Sequence, residues 1–388
     1  METQQLAIKT NYVREHNIKL ITSLLYAEQL SCLELSKKIG ISDVGVRKII
    51  KELETGNIVR RASVENAVKT KGNQHIRYEL NSDLGMFLII EFTHMKEQFV
   101  LYDFAGNKLY AERFFPPDVY TDERELYELT DLIKERIKAQ GLSERKILNV
   151  TVSVIGQVDE NERCFVISGR FGMFENDKEG RIYKIFDDAF NAPVTMKYNV
   201  TFMAIGESEA GFAGDYGMAL FIFAGHGIAA SVLYQGKPLA GWRGYAGEIG
   251  GNKFGFDSTL SLNCSIMRIM QKCAPYLKAQ NIEELLEAYH KNEEVKKIVL
   301  NGARVLACEI GNISNLLGID VVMIHGESLE FGEEYLNLLT EEVRRRSIPK
   351  AKIVLAKLQD PVMEGALAVA KEKAIEGIIK GRYEQSDN

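Results

Sequence analysis

Two sets of side chains in this sequence have the types and spacing to do chemistry. The first centres on an acid, Glu248, near the end of the stretch Leu220 to Gly251, LFIFAGHGIAASVLYQGKPLAGWRGYAGEIGG. Apolar runs there alternate with corners at Gly225-His226-Gly227 and Gln235-Gly236. Clustered glycines mark backbone that turns tightly or approaches something closely, so an acid among them is a candidate ligand contact. A sheet with tight corners and a solvated Glu248 fits the same letters, and both readings stay open. His226 reads as a turn residue rather than a ligand. The second set is basic. Between Ser31 and Leu80 ten basic residues stand against six acids, a local +4 in a chain of net charge −6. Ser42, Asp43, Val44, Arg47, Lys48 and Lys51 fall in one helical stretch, with Arg60, Arg61, Lys69 and Lys71 beyond it. In a DNA groove such Arg and Lys side chains read guanine edges or hold phosphates, with salt-dependent affinity.

The elements that must position the basic set follow from periodicity. Val13, Ile18, Ile21, Leu24 and Leu25 predict a helix from Thr10, as N-cap, to about Gln29. Ser31 to Ile39 predicts a second helix, Gly40 a turn, and Ser42 a cap for a third helix from Asp43 to about Thr55, closed by Gly56. Ile58 to Arg61 and Ile76 to Leu80 read as a β-hairpin, which makes the three helices a winged helix-turn-helix. A three-helix interaction module with a solvated basic face is the alternative.

The chain has 388 residues, enough for two or three domains, and 46% hydrophobic content. Its acidic balance argues against polyanion binding by the whole surface but not against one basic patch. Five scattered cysteines without CxxC spacing fit a reducing cytosol rather than a disulfide framework. No secretory signal pattern and no bilayer-length apolar run is found, so a cytoplasmic location without membrane contact is expected.

After Asn81, strands are expected at 86–91, 98–103, 108–113, 147–155 and 193–197, and helices at about 122–139, 183–190 and 202–213. The tail reads as helices at about 282–290 and 293–317, a strand at 320–324, a helix at 332–345, a strand at 352–358 and a final helix from Pro361. Strand hairpins alternating with helices predict an α/β fold. The winged helix, the Lys71-Gly72 link and the string from Gly225-His226-Gly227-Ile228 through Gly236, Gly241, Gly244 and Ala246-Gly247-Glu248-Ile249-Gly250 together resemble the ROK family of repressors, open reading frames and sugar kinases. Val154-Ile155-Gly156-Gln157-Val158-Asp159 and Gly365-Ala366 add to the likeness, which covers nearly the whole chain. The resemblance implies two actin-like (ribonuclease-H-like) lobes with a ligand cleft. It divides the chain into a DNA-binding domain at 1–80, a first lobe at 81–195 with the last helix (about 361–381) packed back on it, and a second lobe at 196–360.

Several residues that the family's kinases use are altered. Their first-lobe Asp-x-Gly-x-Thr phosphate turn is matched by Ile90-Glu91-Phe92-Thr93-His94, which has no glycine. Their Asn-Asp-Ala-Asn segment reads Tyr198-Asn199-Val200-Thr201, and the Asn199 amide cannot take a proton as an aspartate does. A second-lobe glycine turn reads His325-Gly326-Glu327-Ser328. The zinc-binding His of many members is replaced by Gly251, Ile266 stands where a sugar-binding Glu would be, and only Cys264 remains as a counterpart of three zinc-binding cysteines. The resemblance therefore implies no catalytic residue, no metal and no cofactor. It implies an effector site from Gly156, Asn199, Thr201, Gly227 and Glu248, either holding a small polyhydroxylated molecule or surviving as a relic that joins the lobes. The persistence of the glycine-dense loop favours the former. The expected whole is a repressor of carbohydrate-related genes, a homodimer or homotetramer on double-stranded operator DNA, with an ATP-dependent sugar kinase and a non-sensing structural or interaction protein as the alternatives.

Overall fold

A computed structural model of the chain describes residues 2–62, 76–93, 97–115, 117–211, 216–253 and 258–386. The first helix, α1 (Glu2–Ala27), starts well before Thr10, which lies inside it and is not its cap. It is followed by β1 (Leu30–Ser31), α2 (Cys32–Ile39), α3 (Asp43–Thr55), β2 (Val59–Arg61) and β3 (Arg77–Leu80). The strands form one sheet in the order β1-β3-β2, antiparallel, with Leu30 opposite Tyr78 and Val59 opposite Leu80. Ile21, Leu35, Val46, Ile50, Leu53 and Leu80 are buried. This is the expected winged helix. The segment that carries Lys69 and Lys71 lies outside the described residues.

Next come β4 (Met86–Phe92), β5 (Glu97–Asp103), β6 (Lys108–Arg113), α4 (Arg124–Ala139), β7 (Ile147–Val154), β8 (Gln157–Asp159), β9 (Cys164–Ile167), α5 (Arg181–Phe190) and β10 (Val194–Tyr198). Then follow α6 (Asn199–Gly206), β11 (Met218–Ala224), β12 (Ile228–Tyr234), β13 (Lys237–Pro238), α7 (Leu260–Cys264), α8 (Ile266–Cys273), α9 (Ile282–Lys291) and α10 (Glu293–Leu317). β14 (Val321–His325), α11 (Glu333–Arg346), β15 (Lys352–Leu355) and α12 (Pro361–Ser386) complete the chain. One five-stranded sheet runs β10-β7-β4-β5-β6 and the other β13-β12-β11-β14-β15. Both repeat one plan. The first of its strands is central, the next two run outward on one side, and the last two lie on the other. In the second sheet β11 and β12 are antiparallel while β11, β14 and β15 are parallel. The described residues fall into two units, Met1–Val152 with Glu179–Met196 and Leu367–Asn388, and Ser153–Lys178 with Lys197–Ala366.

Local chemistry explains the departures from expectation. The helix anticipated from Phe202 begins three residues earlier, at Asn199, and passes into a π-helical turn over Glu207–Gly211. The buried Glu207 carboxylate accepts from the backbone N–H groups of Lys357 (2.9 Å) and Leu358 (2.7 Å), which draws it out of a regular helical course. The β8–β9 hairpin and the short helices α7 and α8 carry too few residues for a periodic signal. Among the described residues no helix is long and apolar enough to cross a membrane.

The start of α12 crosses α6 with almost no clearance. A Cβ on Gly365 would lie 1.9 Å from the Phe202 carbonyl oxygen, and one on Gly206 would lie 2.4 Å from that of Pro361. Neither backbone can retreat without moving a helix. Gly365→Ala should therefore lower stability by about 2–3 kcal/mol through overpacking. Gly377→Ala, in the same helix but facing open space, should raise it by up to ~1 kcal/mol through helix propensity. Urea unfolding of the two variants checks the contrast.

Candidate functional site

The helix-turn-helix is held by explicit caps. Ser31 and Glu34 form a reciprocal capping box at the start of α2, and Gly40 closes that helix in the left-handed region at φ 72°. Ser42 caps α3, its hydroxyl accepting from the Gly45 N–H at 3.2 Å. Val46, Ile49, Ile50 and Leu53 turn inward, which leaves Val44, Arg47, Lys48 and Lys51 on the outer stripe. Asp43, at the first turn, holds the Arg47 guanidinium at 2.7 Å across one helical turn. Lys48 and Lys51 make no ion pair among the described residues.

The strand arginines are differently placed. Arg61 reaches back to Glu54 of α3 at 2.9 Å, whereas Arg60 is committed to Glu79 (2.8 Å) and Asp83 (3.4 Å). Exposed pairs of this kind are individually weak and can be exchanged for phosphates. The structure thus gathers Ser42, Asp43, Val44, Arg47, Lys48 and Lys51 on one helix, sets Arg61 against that helix, and turns Arg60 to the other partners of the hairpin. Lys69 and Lys71 are outside the described residues.

The second candidate site is assembled by the loop after β13. β12 and β13 are joined by Gln235 (φ 49°) and Gly236 (φ 77°), a left-handed pair suited to a tight hairpin. The chain then lies down on its neighbours. A Cβ on Gly247 would be 2.1 Å from the Ala230 carbonyl oxygen of β12, and one on Gly244 2.3 Å from that of Val158 in β8. Between these contacts Arg243, itself at φ 49°, donates from Nε to Asp159 (3.0 Å) and from Nη2 to the Asn176 amide oxygen (3.0 Å). Burial alone would raise the pKa of Asp159, but the N–H groups of Glu162 and Asn161 and the Arg243 guanidinium hold it below the usual carboxylate range.

The loop delivers Glu248, whose Oε1 accepts from the Gln157 side-chain amide. Burial raises the pKa of Glu248 and the Gln157 bond offsets part of that rise. Tyr198 lies within reach of this charge: burial first, and Glu248 second, push its phenol upward. Asn199, next in the chain, is buried at the start of α6, its Oδ1 accepting from the Val200 N–H (2.9 Å). Thr201 is half-buried on the same helix.

Gly156, at φ 133°, turns β7 into β8, where a Cβ would meet the Ile167 carbonyl oxygen at 2.5 Å. Its part in the site is to place Gln157. Gly227 lies in the β11–β12 turn, just ahead of Ile228, whose carbonyl oxygen would stand 2.4 Å from a Cβ on Gly250. In the turn that contains it, the Glu327 carboxylate accepts from the His226 N–H (3.3 Å) and fills the space where a Gly225 side chain would stand. Sequence reasoning did not select Gln157, Arg243 or Glu327. The Val154 to Asp159 string was visible, but nothing in it tells a turn residue from a carboxylate partner.

Among the described residues no three His, Cys, Asp or Glu side chains stand close enough to hold a metal ion. Cys264 is buried in α7, where it bonds the Leu260 carbonyl (3.1 Å) and burial pushes its thiol up to about 12.

Known proteins resemble this chain along most of its length. A profile described as "ROK family" matches residues 89–373. The xylose repressor of Caldicellulosiruptor bescii is 22% identical over 386 residues, covering 91% of this chain and 94% of its own. The N-acetylglucosamine repressor of Escherichia coli O6:H1 is 19% identical over 380 residues, with 90% of each chain covered. A solved ROK family transcriptional regulator, described as a homolog of the E. coli MLC protein, superposes with a TM-score of 0.78 at 17% identity over 95% of this chain and 98% of its own. The Thermus thermophilus ROK hexokinase gives 0.60 at 18% identity, over 73% and 97%. The hexokinase match covers less of this chain than the regulator match, and likeness at these identities speaks to fold alone. The family profile spans well over half of the sequence, and the winged helix and paired five-stranded sheets accompany it: the chain belongs to the ROK family.

Proposed function

We propose that this protein is a sugar-responsive transcriptional repressor. The observation that carries the reading is a capped, outward-facing helix whose Lys48 and Lys51 make no ion pair among the described residues, on a chain whose relatives named as repressors align over nine-tenths of its length. α3 enters the major groove through Val44, Arg47, Lys48 and Lys51, Ser42 and Asp43 fix its start, and Arg61 reaches the backbone nearby. Arg60 exchanges Glu79 for a phosphate, and Lys69 and Lys71 supply wing contacts. The repressor acts in the cytoplasm as a homodimer or homotetramer, because two half-sites need two such helices. Its chain is organised as a DNA-binding domain at 1–80 and two lobes at 81–195, completed by the last helix, and 196–360.

The effector is a small polyhydroxylated molecule of the kind the relatives' names carry, a pentose or an N-acetylated hexosamine. Glu248 accepts from its hydroxyls and the Asn199 amide donates to it, with Gly156, Thr201 and Gly227 shaping the surroundings. Preferential binding to one of two arrangements of the body shifts the protein between DNA-competent and DNA-incompetent forms. Phosphoryl transfer is not its work. Asn199 stands in place of a base, β4 ends without a glycine turn, and the Glu327 carboxylate already occupies backbone N–H that a phosphate would need.

Binding of the full chain to duplexes from upstream of its own gene, followed by fluorescence anisotropy, tests the reading. Retention that is sequence-selective and relieved by xylose or N-acetylglucosamine is expected; equal binding to any duplex would sink it. Lys48→Ala should weaken binding across sequences and reduce the slope of log K against log salt by about 1. With either sugar and ATP, a coupled assay should register no sugar-dependent ADP release, and turnover above the sugar-free rate would restore a kinase.

Glu248 makes a pH-dependent contribution with a definite sign. Its folded pKa is raised, so the fold gains relative stability below the ordinary glutamate value of about 4.3 and loses it as pH rises through the folded value. Glu248→Gln should therefore melt higher than the parent at pH 7.5, with the gain vanishing as pH falls toward that range. The same variant should lose the sugar response.

A further inference from the structure

The start of α3 contains a residue that helix formation and packing leave unexplained. Val44 is β-branched, and so a poor choice for an exposed helical position, yet it is 77% exposed at the second residue of the helix. Its neighbours frame it. Gly45 offers no side chain on one side, and Arg47, Lys48 and Lys51 follow at three, four and seven residues on the same stripe. The Asp43 carboxylate draws the Arg47 guanidinium back along the helix at 2.7 Å, and the Ser42 hydroxyl is turned to the Gly45 N–H at 3.2 Å. The first turn thus presents two methyl groups beside the Asp43–Arg47 pair, with Lys48 and Lys51 farther along the stripe.

A B-DNA major groove matches that surface. Its walls are polyanionic, meeting Lys48 and Lys51, and its floor carries one apolar group, the C5-methyl of thymine. We propose that Val44 is a base-reading residue that recognises the 5-methyl group of a thymine in the operator. The inference rests on the DNA-binding reading above and adds a base identity to it. Because the contact is apolar and uncharged, Val44 adds sequence preference without adding salt dependence, whereas Lys48 does the reverse.

The test uses the full chain and a duplex recovered by selection from a random library. Each thymine of the recovered site is replaced in turn by deoxyuridine, which removes only the methyl group. The parent should lose affinity about fivefold at one position of each half-site, the order expected for one methyl-sized apolar contact. Val44→Ala should bind the thymine and uracil duplexes equally, with the parent's salt slope, and Val44→Ile should restore the discrimination. Alanine is the better helix former, so an unfolded variant is not expected, and its melting temperature checks this. Uniform tolerance of uracil by the parent, or discrimination surviving in Val44→Ala, would overturn the inference while leaving DNA binding intact. Recovery of no duplex at all would overturn the DNA-binding reading and this inference together.

Discussion

The ion pair between Arg243 and the buried Asp159 is the contact on which the second site depends. Arg243 adopts a left-handed backbone conformation that an arginine does not choose on its own, and Asp159 is withdrawn from water, where an uncompensated charge is costly. Each stabilises the other's otherwise unfavourable state. With that pair made, Gly244 lies against β8, Gly247 lies against β12, and Glu248 arrives beside Gln157. A candidate ligand contact is thereby fixed by a loop whose own backbone has little freedom. The exposed Trp242, stacked on Tyr245 with ring centroids 5.9 Å apart, is carried on the same rigid segment.

Charge in the winged helix is distributed by a similar economy. Arg14, Arg60, Arg61 and Arg77 are matched by Glu52, Glu79, Glu54 and Glu34, so much of the local positive excess is balanced inside the domain. Lys48 and Lys51 are left on the outer stripe of α3. An acidic protein can in this way present a narrow cationic line along one helix.

The glycine turn at Gly225 to Gly227 is partnered by a carboxylate of the protein itself. Backbone N–H groups in such a turn attract anions, and here the protein's own Glu327 answers one of them. The lack of a Cβ at Gly225 is what lets the carboxylate approach.

The sequence by itself determined the local structure. Apolar periodicity, Ser31 and Ser42 as caps, and Gly40 and Gly56 as stops act within a turn or two of chain, so the winged helix was legible from letters alone, apart from the true start of α1. The string around Glu248 was legible as a constrained loop for the same reason. What only the tertiary structure decided is which distant groups meet. Gln157 finds Glu248 across 91 residues, Asp159 finds Arg243 across 84, and Glu327 finds His226 across 101. Those pairings join segments that are far apart in the chain, which no local propensity encodes. Whether Glu248 is a solvated acid or a half-buried carboxylate with a raised pKa is set by that packing, because burial and partners, not residue type, fix the cost of its charge.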